Sequence, residues 1–324
     1  MAVLVTGGAG YIGNFMTRRL LDDGEEVVVI DSLERGHIES LDKRITFLKG
    51  TLLDRSFLKE AFIQHSISAV IHFAGYISVA ESVKKPSAYI TNNVIATLNL
   101  LDEMINAQVN KIVFASTAAV YGNPTKIPIP EDHPKNPESP YGDSKLMVEK
   151  IFHWYEKANG LRHVTLRFFN ASGAALDGSM GEDHQPETHI IPNAILAAIN
   201  KTPFTLYGKD YDTPDGTCIR DYIHVLDLAQ AHILALKKIS EFPGGYQYNV
   251  GTGKGYSNKE VVEMVEKVSG EKMNIVFHER RPGDSDKLIA DPSRIFSELS
   301  FKPQYSDLET IVSSAWKWHT RDRR

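Results

Sequence analysis

Tyr141 and Lys145 stand four residues apart in PYGDSK, residues 140–145, at the apparent start of a helix. Residues at i and i+4 share a helix face, so the phenol and the ammonium point into the same space. A free tyrosine titrates at about 10 and accepts a proton poorly near neutrality, but a neighbouring cation favours its phenolate and makes the pair a general base. The same spacing also occurs by chance on ordinary surface helices, and alone it does not separate the two readings. Upstream, FASTAAVYG (residues 114–122) ends an apolar strand on two hydroxyls, Ser116 and Thr117. Such hydroxyls often bond only local backbone. Hydroxyl, tyrosine and lysine together polarise a carbinol or ketone beside a hydride acceptor, a more specific constellation than any of its parts.

The N-terminal TGGAGYIG points to such an acceptor. Gly7, Gly10 and Gly13 fit GxxGxxG while Gly8, Gly10 and Gly13 fit GxGxxG, so the spacing leaves both subclasses of dinucleotide site open. The motif follows an apolar strand, opens a helix, and precedes a second strand ending in Asp31, where a carboxylate accepts hydrogen bonds from the adenosine ribose. Backbone N–H groups at the helix start hold a pyrophosphate. An anionic Asp31 repels a 2′-phosphate, which favours NAD over NADP; Arg35 nearby pulls the other way.

These groups need a scaffold that delivers strand ends to one place. The runs AVLVT, EVVVID, ITFLKG, AVIHFAG, KIVFAS and HVTLRFF alternate with helix-length segments, among them 11–21, 87–104 and 144–157. That rhythm predicts an α/β fold: a Rossmann-type, doubly wound parallel sheet. Residues 1–170 form the expected NAD-binding domain. Residues 171–324, richer in Gly, Pro and Asp connections, form a smaller, mainly substrate-binding domain with helices at 195–200 and 257–269. The chain is expected to cross back to the sheet around 219–252, at IRDYIHV and YQYNVG.

With 324 residues, 42% of them hydrophobic and 24% charged, the chain has ample core and a net charge of −5 that gives no electrostatic case for nucleic-acid binding. The terminal RDRR reads as a solvated tail. One cysteine, Cys218, excludes an intramolecular disulfide and fits a reducing compartment. No apolar run approaches membrane-spanning length, and MAVLVTGG carries no basic leader, so the expected location is cytoplasmic.

TGGAGYIG, HFAG, NNV, VYGNP, SPYGDSKLMVE, RFFNASGA, DGTCIRDYIHV and RRPGD occur in this order. With them the chain resembles, over nearly its whole length, the extended short-chain dehydrogenase/reductase family, and within it the enzymes that epimerise nucleotide sugars at C4. The resemblance implies Thr117, Tyr141 and Lys145 as the catalytic set. It adds Tyr11, Ile12, Asp31, Ser32, Thr51 and Leu52 to the glycines as cofactor contacts, with Phe73, Ala74, Gly75, Asn92 and Phe169 beside the catalytic three. Substrate contacts fall on Thr117, Tyr141, Asn170, His189, Ile190, Tyr207, Arg220, Arg281, Asp284 and Leu288, and the arginines Arg220 and Arg281 neutralise a diphosphate. The implied activity is interconversion of UDP-galactose and UDP-glucose in galactose metabolism, by transient oxidation at C4 with tightly bound NAD and Tyr141 as base. The alternative within the fold is an NAD-dependent epimerase of other nucleotide sugars such as UDP-N-acetylhexosamines, which a bulky Leu288 beside the sugar's 2-substituent disfavours. The resemblance also implies a homodimer through helices near 92–104 and 145–157.

The chain departs from the family pattern at three places. Thr51 stands where an aspartate is common, Ile77 where many relatives carry a lysine, and His189 where an asparagine is common. His189 closes GEDHQPETH, whose acids and histidines suggest a metal; their linear spacing suits no compact site and the chemistry needs none, so no metal is expected. A 4,6-dehydratase needs an acid/base pair directly after the strand-end Thr, where this chain has Ala118 and Ala119. A non-catalytic NAD sensor has no use for Tyr141 and Lys145.

Overall fold

The structure is a computed structural model that describes residues 1–281 and 284–321; Pro282 and Gly283 of RRPGD, and Asp322 to Arg324 of the terminal RDRR, lie outside the described residues. The chain divides into two compact units: Met1–Gly122, Pro134–Arg167 and Ala229–Tyr248 form the first, and Asn123–His133, Phe168–Leu228 and Asn249–Arg324 the second. The division is thus not a single cut near residue 170, because segments interleave. Among the described residues, no helix is long and apolar enough to cross a membrane.

The first unit is built on a sheet of seven strands: β1 (Ala2–Thr6), β2 (Val27–Asp31), β3 (Thr46–Lys49), β4 (Ile67–His72), β5 (Lys111–Thr117), β6 (Arg162–Phe168) and β7 (Gly245–Val250). Their order is β7-β6-β5-β4-β1-β2-β3. β1 pairs in parallel with both β2 and β4, so the chain winds outward in opposite directions from the β1–β4 junction. A crevice opens at the carboxyl ends of strands at such a switch point. The strands read as unbroken apolar runs because helices cover both faces; Leu4, Ile30, Val70, Ile112 and Phe114 pack with Leu100 and Phe152 in one buried cluster.

All six runs read from the sequence form strands. Of the two segments expected to return to the sheet, YQYNVG supplies β7, whereas IRDYIHV does not join it. It breaks at Asp221 into Ile219–Arg220, which pairs with Tyr256–Ser257 and Lys287–Leu288, and Tyr222–His224, which pairs with Asn170–Ser172. The cause is the buried Asp221 carboxylate, which accepts the backbone N–H groups of Thr252 (2.9 Å), Gly253 (3.0 Å) and Ala290 (3.2 Å) and so ties the segment to loops of the second unit. The core of that unit gathers Ile195, Phe204, Val261 and Ile311 from helices Ile190–Asn200, Asn258–Ser269 and Leu308–Thr320 and the strand Phe204–Tyr207.

The helix Tyr11–Asp22 begins directly after the glycine loop. Gly7 has φ +73°, and a Cβ on it would lie 2.6 Å from the Ala74 nitrogen; a Cβ on Gly13 would lie 2.2 Å from the Gly7 carbonyl oxygen. Gly7 is therefore wedged against the turn after β4 and Gly13 against the loop's own backbone, with no room for a side chain at either position. Gly13→Ala is expected to lower unfolding free energy by ~1–3 kcal/mol through overpacking, seen as a lower urea midpoint; a wild-type midpoint would contradict this packing.

Candidate active site

Of the expected cofactor and catalytic residues of the first unit, Gly7 follows β1, Asp31 ends β2, Thr51 follows β3, Phe73 to Gly75 follow β4 and Thr117 ends β5, while Asn92, Tyr141 and Lys145 lie on helices. At β1, the helix starting at Tyr11 has Gly10 as its N-cap and no side chain capping its first turn. A Cβ on Gly10 would meet only the Gly7 oxygen, at 3.4 Å, so this face is open where Gly7 and Gly13 are closed. An uncapped helix start with a bare glycine face fits a diphosphate. Gly8 instead packs toward Val29, whose side chain a Cβ would strike at 2.7 Å. The Asp31 carboxylate is fixed by the N–H groups of Ala9 (3.0 Å) and Leu33 (2.8 Å). Arg35, the cation that pulled toward NADP, donates to Glu81 at 2.8 Å and lies over the Tyr76 ring. The residues present thus fit NAD. Ser32 and Thr51 are exposed, each accepting a local backbone N–H, while Leu52 is buried.

The helix that carries Tyr141 and Lys145 is Pro140–Asn159, starting four residues earlier than its apolar pattern indicates, because Ser139 caps it by accepting the Gly142 N–H and Pro140 occupies the first turn. This start brings the Tyr141 phenol to the Thr117 side chain. Burial pushes the Tyr141 phenol above the usual tyrosine range, and the Thr117 hydroxyl pulls against it. Lys145, expected to lower it, is itself buried: its Nζ donates to the Ala115 carbonyl at 2.9 Å and lies 4.8 Å from the centre of the Phe114 ring. Burial lowers Lys145 to about 8, with Glu149 opposing. The ammonium faces Gly75, where a Cβ would come within 3.6 Å of Nζ. His72 beneath is pushed down to about 3, by burial first and then by Lys145. Ser116, the other candidate hydroxyl, turns to the interior and donates to Glu149 at 2.6 Å.

Two positioning groups escape a reading of the sequence. The helical run expected over 87–104 contains a π-helical turn, Ile90–Ile95, which carries Asn92 and Asn93. Such turns recur at functional sites. Asn92 donates to Asn93 at 3.2 Å, but the buried Asn93 makes the structural links: it accepts the Tyr76 N–H (2.8 Å) and donates to the Tyr76 carbonyl and to Ser144 Oγ (both 3.0 Å). Ser144 in turn donates to the Tyr141 carbonyl at 2.7 Å. Asn93 thereby pins the loop after β4 to the helix Pro140–Asn159; the NNV doublet was the only signal. Glu149, one turn beyond Lys145, takes a two-pronged contact from Arg167 (2.7 Å at the shortest).

The remaining candidates belong to the second unit. Phe169 and Asn170 follow β6, with Asn170 donating its N–H to Asp221 at 3.0 Å. Arg220 donates to the carbonyls of Ile219 and Ser285 (both 2.9 Å) and lies 3.5 Å from Asp284. Arg281 sits over the Tyr207 ring at 4.1 Å, and Leu288 pairs opposite Arg220. His189 caps the helix Ile190–Asn200. The spacing argument against a compact cluster in GEDHQPETH fails, because the segment folds back and brings Glu182, His184, Glu187 and His189 together. Burial raises Glu182, but His189 and His184 outweigh it and hold that carboxyl at about 2.

The chain belongs to the NAD dependent epimerase/dehydratase family, which it matches over residues 3–251. It is 48% identical to the UDP-glucose 4-epimerase of Halalkalibacterium halodurans over 98% of this chain and 96% of that one. The solved structure of UDP-glucose 4-epimerase from Brucella ovis in complex with NAD is similar at a TM-score of 0.94 and 44% identity, over 97% of both chains. The enzyme of that name from Bifidobacterium longum, solved with NAD+ and UDP, is similar at a TM-score of 0.93 and 37% identity, over 99% of both.

The low value of Lys145 carries a pH signature. Its folded-state pKa of about 8 lies below the ordinary 10.5, so between these values the folded chain holds fewer protons than the unfolded one. Stability conferred at this position therefore rises with pH across that window. Urea unfolding of nucleotide-free wild type and Lys145→Met from pH 7.5 to 10.5 should show the wild type gaining on the variant; parallel curves would contradict a desolvated Lys145.

Proposed function

We propose that this protein inverts C4 of a UDP-linked hexose, interconverting UDP-galactose and UDP-glucose on resident NAD. The observation that carries the reading is the meeting of the Thr117 and Tyr141 side chains at the end of β5, with Lys145 one turn along. Ala118 and Ala119, directly after Thr117, transfer no proton, which favours epimerisation over dehydration within the family.

The hydrogen on C4 of a hexose is not acidic, and inversion by simple deprotonation is closed. Oxidation to a 4-ketone makes the carbon planar, and reduction from the other face inverts it. Bound NAD+ would supply a hydride acceptor and a positive charge that favours the Tyr141 phenolate, which burial alone disfavours. Gly7, Gly10 and Gly13, with Tyr11 and Ile12, would hold its pyrophosphate, Asp31 and Ser32 its adenosine ribose, and Thr51 and Leu52 its adenine. Phe73, Ala74, Gly75, Asn92 and Phe169 would meet the rest, with Lys145 on the nicotinamide ribose. Tyr141 takes the proton of the 4-hydroxyl, with Thr117 bridging, and returns it after the sugar has turned over. In the second unit Arg220 and Arg281 meet the diphosphate, while Asn170, Ile190, Tyr207 and Asp284 hold the remainder of the nucleotide sugar. The enzyme works in the cytoplasm as a homodimer, joined through helices that expose Ile95, Met147 and Trp154. No metal takes part in the reaction.

Tyr141→Phe is expected to lower kcat by ~10²-fold or more, the usual loss for a general base, while UDP affinity stays near that of the wild type. Near-normal turnover would remove Tyr141 from the mechanism. Leu288 limits the sugar's 2-substituent: an acetamido group forced against it costs about 1–3 kcal/mol, or roughly one to two decades in rate. The kcat/KM ratio of UDP-galactose to UDP-N-acetylgalactosamine should be large in the wild type and fall in Leu288→Ser. An unchanged ratio would show that Leu288 is not the gate.

A further inference from the structure

The segment leading into the helix Ile190–Asn200 carries Glu182, His184, Glu187 and His189, and one ligand atom from each lies within 4.8 Å of the other three. We propose that this cluster is a structural binding site for a divalent d-block cation, with Zn2+ the best match. Two imidazole nitrogens and two carboxylate oxygens suit such ions, and two carboxylates balance the charge of a dication. Tetrahedral bonds of ~2.0–2.2 Å place ligand atoms ~3.5 Å apart, so the cluster needs only modest side-chain contraction to close on an ion.

The groups are already aimed at one another. Nδ1 of His184 (2.9 Å) and Nδ1 of His189 both meet the same oxygen of buried Glu182. The Glu187 carboxylate is oriented by the backbone N–H groups of Thr188 (2.7 Å) and His189 (2.9 Å), which donate to one of its oxygens. Trp318 donates its indole N–H to the Glu182 carbonyl at 2.7 Å, and a Cβ on Gly181 would strike the Trp318 ring at 2.4 Å, so the segment is seated tightly on the helix Leu308–Thr320. Outer contacts of this kind orient the ligands of metal sites. With four protein ligands and no open position, the cation fastens the segment rather than performing chemistry. His189 also occupies the N-cap position of the helix Ile190–Asn200, so the ion would anchor that helix start.

The test uses tag-free protein with its nucleotide retained, stripped with a chelator and dialysed, then titrated with Zn2+ by calorimetry and with Co2+ by visible absorption. We expect one Zn2+ per chain with Kd below about 1 µM, a Tm rise of at least ~3 °C at saturation, and Co2+ bands of four-coordinate intensity. Both His184→Ala and Glu187→Gln should weaken Zn2+ binding at least tenfold while retaining cooperative melting without metal. Mg2+, which demands oxygen ligands in octahedral array, should not compete. The absence of one-per-chain binding, or wild-type affinity in either variant, would leave histidine–glutamate pairs only and overturn the proposal. None of these readouts depends on turnover, so failure here is separable from failure of the epimerase reading.

Discussion

A parallel sheet covered on both faces leaves little open space for polar chemistry along its strands. The central strands of the first unit are buried over most of their length, so reactive groups collect where strands end and helices begin. The β1–β4 junction adds a second constraint, since Gly7 meets the turn after β4 so closely that no side-chain atom fits there. From these two conditions follows the layout of the candidate site: a bare helix start for a diphosphate, a fixed carboxylate one strand away, and the Thr117–Tyr141 pair beyond.

The same burial that builds the scaffold works against its chemistry. A buried phenol resists ionisation and a buried amine resists protonation, and both effects appear at Tyr141 and Lys145. Lys145 donates to the Ala115 carbonyl, and Glu149, which favours its charge, is held by Arg167. Asn93 contributes geometry, since it binds both backbone groups of Tyr76 and reaches the helix Pro140–Asn159 through Ser144. A cofactor carrying positive charge would shift the phenol toward its working form.

Legibility in the sequence tracked locality. The strands, the glycine loop and PYGDSK were readable because each is a short run whose meaning lies in its own spacing. The break of IRDYIHV at Asp221 was not, because an aspartate between apolar residues does not announce which distant N–H groups it will accept. Ser116 and Thr117 are adjacent and chemically alike, yet alternate sides of a strand send one to Glu149 and the other to Tyr141. Asn93 hid behind Asn92 for a related reason: only the π-helical turn decides which of the two faces inward. The histidines and glutamates of GEDHQPETH are too spread along the chain to suggest a cluster, but linear spacing says little about a segment that folds back on itself.

The central claim is that C4 is oxidised and reduced within one active site, with its own hydrogen returned to it. UDP-galactose deuterated at C4, converted in ordinary water, tests this by the isotope content of the product. The account predicts UDP-glucose that keeps its deuterium at C4 through many turnovers. Replacement of that deuterium by solvent hydrogen at the rate of epimerisation would contradict it.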